Sequence, residues 1–336
     1  MKSYLLEGPD GVDSLKLVQR ETPAPGAGEV LVRVRANSLN YRDLIVASRG
    51  YYRNANYPTV PVSDMAGEVE AVGEGVTGWK AGDRVAANFM RDFVSGAPTE
   101  AALRSSLGGG VQGTLAEQVV LPAHALVRLP AHLSFKEGAT LPCAAVTAWN
   151  GLTSAGLTAG DTVLLLGTGG VSIFGLQLAK AAGARVVITS SSDAKLAKAR
   201  ALGADVAINY KKHPEWHEKV LEATGGRGVD QVLEVGGPGT LERSLKSTRV
   251  GGTISLIGLL DMPKDQPSVL WAMLNAQVIR GIYVGSVAQF AAMNRAIEAN
   301  AIKPVIDRVF AFGKAKAAYE YFAKQKHLGK VVISHG

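Results

Sequence analysis

The 336-residue chain has a single cysteine, Cys143, which excludes an internal disulfide and fits a reducing cytoplasm. Its apolar runs are short, and none approaches the roughly 20 residues that a membrane span needs. The opening residues, MKSYLLEGPDGVDSLKL, lack the basic flank, apolar core and cleavage site of a signal peptide. Net charge is +7, yet no dense basic block or arginine-rich arm is present. A scattered basic surface suits an anionic small molecule, and nucleic acid is not expected as the main partner. Aromatics are scarce at 6%, and there is no internal repeat or low-complexity segment. What is abundant is apolar residues (47%) and glycine (39 residues), a composition that fits a folded α/β enzyme of two domains.

The stretch Asp161 to Ser192 is the most informative. Val163–Leu166 reads as a buried parallel strand, and it ends in Gly167-Thr168-Gly169-Gly170. A helical pattern follows with Val171, Phe174, Leu176 and Leu178, and a second β-branched run spans Arg185 to Thr189. Strand, glycine turn, helix and strand form the βαβ unit that holds a dinucleotide. Gly167 allows the tight turn, and Gly169 lets backbone approach a pyrophosphate. Gly170 and Val171 open the helix whose N–H groups face the anion. Ser172 stands where a third glycine is usual, so the helix is expected slightly further from the strand.

A dinucleotide without a 2′-phosphate is normally marked by an Asp or Glu at the end of the second strand. That carboxylate is missing here: the segment reads Thr189-Ser190-Ser191-Ser192-Asp193-Ala194-Lys195. Ser190 and Ser191 offer hydroxyls and Lys195 a cation, a set that suits the 2′-phosphate of NADP(H). Tyr210, past the next apolar run, could flank the same adenosine. The alternative is that the serines cap a helix and Lys195 is solvated on it. Both hold together if the capped terminus is also where the phosphate sits.

Residues 1 to about 126 carry β signals broken by Gly and Pro, at Glu29–Ala36, Gly67–Val72, Asp83–Ala87 and Leu115–Leu121. They predict a β-rich, barrel-like domain. A helix is expected over Ala139–Ser154, then strands at Val163–Leu166, Val186–Thr189, Val206–Ile208, Gln231–Val235, Gly252–Ile257 and Val278–Val284. Strands with helical crossovers in this number predict an α/β, doubly wound, parallel six-stranded sheet over 127–285. The tail 286–336 holds helices at Gln289–Asn300 and Lys314–Lys324 and strands at Val305–Phe310 and Lys330–Ser334. It is assigned with 1–126 to the other domain.

The chain resembles the medium-chain dehydrogenase/reductases, and among them the zinc-free, quinone oxidoreductase-like branch. The resemblance rests on Gly67-Glu68-Val69 with Val72-Gly73-Glu74-Gly75-Val76, on Trp79-Lys80-Ala81-Gly82-Asp83-Arg84-Val85, and on Gly113-Thr114-Leu115-Ala116-Glu117. It continues through Pro142 to Trp149, the βαβ unit, Gly225-Gly226-Arg227-Gly228-Val229-Asp230 and Gly329-Lys330-Val331-Val332. It implies a GroES-like catalytic domain and a Rossmann domain. Zinc-dependent members place a Cys where this chain has Asn40 and a His where it has Ser63, while Cys143 falls at the remaining cysteine position. One thiol with Asn, Ser and Asp does not make the tetrahedral N/S site that zinc prefers, so no metal is expected.

Without a metal, hydrogen-bond donors must stabilise the charge that hydride transfer leaves on an acceptor oxygen. Enones and quinones delocalise that charge and need less help than a saturated ketone. The resemblance therefore implies NADPH-dependent reduction of a quinone or an α,β-unsaturated carbonyl compound. A zinc-independent alcohol dehydrogenase or aldehyde reductase is the enzymatic alternative, and a nucleotide-binding, crystallin-like structural protein the alternative of another class. The candidate donors are Asn40 and Tyr52, with Tyr41 and Arg42 weaker and Asp43 more a brace of the loop than a proton carrier. Thr147, Gly258, Val284 and Lys330 are placed at the cofactor by resemblance. His213 and His217 are spaced i, i+4 but lack a third ligand, and Lys211–Lys219 reads as a solvated helix start. The loop Met90–Gly110, with few anchors, is expected as a lid. The apolar strand Val278–Val284 is expected to join two copies into a homodimer, as the equivalent strand does in the family.

Overall fold

The computed structural model describes residues 1–49, 57–260 and 268–336. Within them the chain divides into two compact units, Met1–Val146 with Gly285–Gly336, and Thr147–Val284. The first crossover falls about 20 residues past the expected 126. The pairing explains why: residues beyond 126 still extend the first unit's sheet, and the helix Phe135–Gly138 packs on it.

In the first unit the strands are β1 (Lys2–Leu6), β2 (Leu15–Gln19), β3 (Glu29–Ser38), β4 (Asp64–Val72), β5 (Arg84–Ala87), β6 (Gln118–Pro122) and β7 (Leu126–Arg128). After the second unit come β14 (Ile306–Ala311) and β15 (Lys330–Ser334). Among the described residues β1 pairs with β2, and a seven-stranded sheet runs β14-β15-β3-β4-β5-β7 with β6 on β3. The inward residues of β3, β4 and β5, among them Val32, Val34, Val69 and Val85, close over Leu107, Leu121 and Leu126 as one core. The strands expected at Glu29, Gly67 and Asp83 all form, with shifted ends. That at Leu115 forms only from Gln118, because the Leu115 carbonyl is taken by Tyr4 N–H at 2.9 Å.

The second unit holds β8 (Thr162–Leu165), β9 (Arg185–Ser190), β10 (Val206–Asn209), β11 (Val229–Glu234), β12 (Thr248–Leu256) and β13 (Val278–Gly281). They form a parallel sheet in the order β10-β9-β8-β11-β12-β13, the doubly wound arrangement. Val163, Leu164 and Leu165 are completely buried, which is why this strand reads as an unbroken apolar run.

Three local expectations need correction. The helix expected over Ala139–Ser154 is a π-helical stretch, Leu141–Ala145, followed by an α-helix from Val146 to Ser154. Pro142 in its first turn removes an N–H and crowds the preceding carbonyls, so the turn widens. The strand expected to reach Val284 stops at Gly281, and Val284 itself is in the left-handed region at φ 52°. The loop Met90–Gly110 is anchored at both ends: Met90, Phe93, Ala102 and Leu107 are buried, residues 94–101 are exposed, and it contains a helix, Glu100–Arg104. Leu107 belongs to the first unit's core, so the loop has more anchors than expected.

Candidate active site

The glycine turn of the second unit follows β8 directly. Gly167 has φ 73°, a conformation that disfavours any side chain, and its N–H donates to Thr189 Oγ1 at 3.2 Å. Gly169 caps the helix Gly170–Ala181, and a Cβ built on Gly167 or Gly169 would meet no atom within 4 Å. That open space beside the unpaired N–H groups of a helix start is what a pyrophosphate laid along backbone requires, so a dinucleotide fits here. Ser172 does not hold the helix away. Its hydroxyl donates to the Leu166 carbonyl at 2.6 Å, and the close approach falls to Gly175, where a Cβ would come within 2.9 Å of Leu233.

At the end of β9, Ser190 is buried, with its hydroxyl 3.4 Å from that of Thr168. Ser192, not Ser190 or Ser191, caps the helix Asp193–Ala201 by accepting from Lys195 N–H at 3.4 Å. Ser191, just before the cap, and Lys195, in the first turn, are half-buried, and Tyr210 is exposed. The one nearby carboxylate, Asp193, accepts from Asn209 Nδ2 at 2.8 Å and pairs with Lys212 at 2.8 Å. Asn209 first and Lys212 second hold its pKa down. Local pattern does not reveal these two partners, because they lie on the next strand and loop.

Of the other residues assigned to the cofactor, Thr147 is buried on the helix Val146–Ser154. Val284 is buried and its carbonyl accepts from Asn150 Nδ2 at 2.6 Å. Gly258 packs so tightly that a Cβ would lie 1.9 Å from the Val235 carbonyl oxygen. Close by in sequence, Glu234 ends β11 fully buried and accepts from the N–H groups of Gly236 and Gly237 and the hydroxyls of Thr240 and Ser244. His217 carries a largely buried side chain beside the buried Trp216, so the start of that helix is less solvated than expected.

The first unit assembles a second polar group by strand register. Val332 of β15 pairs with Ser38 of β3 in antiparallel fashion, and Leu39 N–H donates to the Val331 carbonyl at 3.0 Å. Two residues further along each chain, the same register sets Lys330 against Asn40. On the other side of β3, Ser38 faces Asp64 of β4. Lys330 is buried, and its ammonium donates to the Leu39 carbonyl at 2.7 Å and to Asn40 Oδ1 at 2.5 Å, 3.9 Å from Asp64 Oδ2. The resemblance places Lys330 at the cofactor; in the structure its partners are Leu39, Asn40 and Asp64.

Asp64 is completely buried and gathers the remaining members. Ser63 Oγ donates to Oδ1 at 2.8 Å, and the N–H of Cys143, released by the π-helical stretch, donates to Oδ2 at 3.3 Å. Burial pushes the Asp64 pKa up, and Lys330, Asn40 and Ser63 pull against it. Burial also raises the Cys143 thiol far above its ordinary value, leaving it protonated. Asp43 accepts from Asn40 N–H at 2.8 Å and from Arg42 Nη1 at 3.3 Å, which makes it the brace of the loop. Burial lifts its pKa to about 6, against the pull of Arg42. Arg42 also donates to the Leu107 carbonyl at 2.6 Å and lies over the Phe89 ring. Val62, just before Ser63, holds φ 70°, a strained conformation for a β-branched residue, and its carbonyl is fixed by Thr114 N–H at 2.8 Å.

Asn40 Nδ2 stands out in this group. It lies near enough to Asp64 to stabilise that carboxylate, yet it meets hydrogen-bond geometry with no atom among the described residues. A buried donor left so costs about 1–3 kcal/mol, which asks for a reason. Tyr52, the other candidate donor, lies outside the described residues. Among the described residues no group of three or more His, Cys, Asp and Glu is arranged to hold a metal ion.

Comparison with known proteins decides the family. Residues 26–131 match the alcohol dehydrogenase GroES-like domain, and residues 170–299 match the zinc-binding dehydrogenase domain. A zinc-type alcohol dehydrogenase-like protein of Schizosaccharomyces pombe is 50% identical over 96% of both chains. The chain belongs to the medium-chain dehydrogenase/reductase superfamily. It is therefore an oxidoreductase with the family's pair of folds. An acryloyl-coenzyme A reductase of Metallosphaera sedula is 30% identical over 99% of this chain and all of its own. A solved structure described as a putative alcohol dehydrogenase of Sinorhizobium meliloti superposes with a TM-score of 0.92 at 41% identity, covering 99% of this chain and 98% of that one. No helix among the described residues is long and apolar enough to cross a membrane.

Proposed function

We propose that this member of the superfamily uses NADPH to reduce a quinone or an α,β-unsaturated carbonyl compound, without zinc. The observation that carries the reading is the bond between the buried Lys330 ammonium and Asn40. Asn40 and Ser63 stand where zinc-dependent members have ligands, and the place is lined by an amide, a hydroxyl, the Asp64 carboxylate, the single Cys143 thiol and a cation. These do not fit a zinc ion, whose charge the ammonium opposes and of whose N/S ligands only one thiol is present. The acceptor oxygen is then left to hydrogen-bond donors, and Asn40 Nδ2 is a buried donor that meets hydrogen-bond geometry with no atom among the described residues. An acceptor that spreads its own charge, an enone or a quinone, asks least of such a site.

NADPH when bound supplies the hydride. Gly167, Gly169, Gly170 and Val171 present backbone to its pyrophosphate, and Ser191 and Lys195 offer a hydroxyl and a charge for the 2′-phosphate, with Ser190 beneath them. The acryloyl-coenzyme A reductase supports an enone-type acceptor. The name of the Schizosaccharomyces relative favours the second reading, alcohol or aldehyde chemistry. NADPH oxidation with a quinone, an enone and an aldehyde, on protein assayed for zinc, separates them. Turnover of the enone or quinone by zinc-free protein is expected. Activity confined to the aldehyde, or one zinc per active chain, overturns the proposal, and inactivity with all three would point to a structural nucleotide-binding protein.

A homodimer of a cytoplasmic enzyme completes the reading. The single cysteine suits a reducing compartment. Among the described residues β13 ends its sheet with an unpaired edge, and Val269, Leu270, Met273, Leu274 and Val278 are exposed. A second copy pairing edge to edge would cover both features. Light scattering should give twice the chain mass at micromolar concentration, and a monomer mass rejects the dimer.

A further inference from the structure

An amide side chain has two ends of nearly the same shape and opposite hydrogen-bonding character, so its neighbours decide which end points where. For Asn40 the deciding neighbour is Lys330. An ammonium has three donors and no acceptor, so it can be met only by Oδ1, as found at 2.5 Å. A second anchor, the Leu39 carbonyl at 2.7 Å, holds the ammonium in place. The other end of the amide, Nδ2, is thereby fixed as the donor end, buried and without a hydrogen-bond partner among the described residues. Asp64, 3.9 Å from Nζ, supplies the opposite charge that allows an ammonium to stay buried here. Nδ2 carries two hydrogens, so an inclination of one toward Asp64 leaves the other for an entering oxygen.

We infer that Lys330 is a positioning residue for hydride transfer. It locks the Asn40 amide with Nδ2 forward and, by drawing electron density to Oδ1, makes that N–H a stronger donor. Hydrogen bonds in a chain polarise one another, and one end of this chain is a full charge on a buried side chain. The buried cation so acts on the acceptor oxygen through the amide between them. The inference rests on the reading of Asn40 as the donor to that oxygen, or to a water held against it, and assigns to Lys330 no contact with substrate.

The test uses the full-length protein, an enone and a quinone as acceptors, single-turnover hydride transfer at saturating NADPH, NADPH affinity by fluorescence, and melting temperature. Asn40→Asp keeps an oxygen for Lys330 and removes the donor, so it examines the underlying reading alone. Lys330→Met removes the lock. We expect it to slow hydride transfer to the enone by roughly 10–100-fold, with a smaller loss on the intrinsically electrophilic quinone, a small change in KM and unchanged NADPH affinity. Lys330→Arg, which restores a donor-only cation, should recover part of the rate.

Lys330→Met leaves the Asp64 carboxylate buried beside an apolar chain, which threatens folding. The double variant Lys330→Met/Asp64→Asn removes both charges, and the same enone-weighted loss is expected of it. If Asn40→Asp transfers hydride at the wild-type rate, the reading of Asn40 fails and this inference with it. If Asn40→Asp is slow while folded Lys330→Met or the double variant is as fast as wild type, the inference alone fails. Weaker NADPH binding with an unchanged rate at saturation also overturns it, and makes Lys330 a cofactor ligand.

Discussion

The two units keep their polar site residues in opposite states. Around Gly167 and Gly169 the second unit leaves space, and what it offers is backbone N–H at a helix start. Around Asn40 the first unit offers side chains instead: Asn40, Arg42, Asp43, Asp64 and Lys330 are all buried and bonded to one another or to backbone. A site that grips a large anion through main chain works best empty and lined with glycine. One that acts on a single oxygen gains from charges and dipoles fixed beforehand in a dry setting, and it bears their desolvation as a standing cost. Two carboxylates, Asp230 and Asp43, show opposite outcomes of burial. Burial would raise Asp230 in the second unit, but Arg227, the Thr162 N–H and Arg249 outweigh it and hold it far below its ordinary value. In the first unit burial wins at Asp43.

The largest effect should come from the closed site. Asn40→Ala is expected to slow hydride transfer to an enone by roughly 10²–10³-fold, as loss of a main oxyanion donor does elsewhere. NADPH affinity should hardly move. If Asn40 only ties its own loop, melting temperature falls while the single-turnover rate per folded molecule stays near wild type, and the donor must be sought elsewhere.

Next comes the open site. Gly169→Val adds bulk where a Cβ meets no protein atom within 4 Å, so melting temperature should change little. The added group would stand where the pyrophosphate lies, and NADPH and NADH affinities should both drop roughly 10–100-fold, taking about 1–3 kcal/mol for overpacking. A large fall in melting temperature with unchanged affinity would show that the space is not the phosphate site.

This contrast also explains what could be read in advance. The glycine turn lies within one continuous stretch, strand to turn to helix, so local pattern was enough to find it. That six strands with helical crossovers make a doubly wound sheet followed from the same alternation. The closed site draws on residues 40, 43, 64, 143 and 330, which come together only through the register of β15 on β3 and of β3 on β4. Asn40 was singled out by comparison with ligand positions, but that Lys330 would bond it was invisible, since no local pattern encodes a strand register between chain ends. Pro142 was in plain view, yet whether it would start, bend or widen the helix depended on Asp64 accepting the Cys143 N–H. The anchors of the Met90–Gly110 loop were missed for a similar reason, as Leu107 is fixed by Arg42 from far away.

A smaller effect should follow at the adenosine end. Lys195→Ala is expected to weaken NADPH binding by roughly tenfold and NADH binding hardly at all, the low end of a charge-assisted contact because Lys195 is half-exposed. Fluorescence titration of both cofactors measures it. Equal losses for both, or NADH bound as tightly as NADPH by the unaltered protein, would remove the 2′-phosphate from this place and NADPH from the proposed reaction.

The smallest effect concerns pH and the two kinds of buried carboxylate. An Asp in an unfolded chain titrates near 3.9, and Asp43 in the folded protein near 6, because burial disfavours its charged form. Between those values the folded chain holds a proton that the unfolded chain has lost. Stability from this group is therefore fully present below about pH 4 and is lost as pH rises through about 6. Asp230 has the reverse sign: its contribution is present above the unfolded value and is lost only in strong acid. Asp43→Asn does not titrate, and its amide oxygen can still accept from Asn40 N–H. Unfolding free energies of wild type and variant measured from pH 4 to 7.5 should converge in the variant's favour by about 1–2 kcal/mol as pH rises, then run parallel. Asp64 is present in both proteins, so the difference reports on Asp43. A difference that stays constant across the range would mean that Arg42 keeps Asp43 ionised throughout, and Asp43 would then behave as Asp230 does.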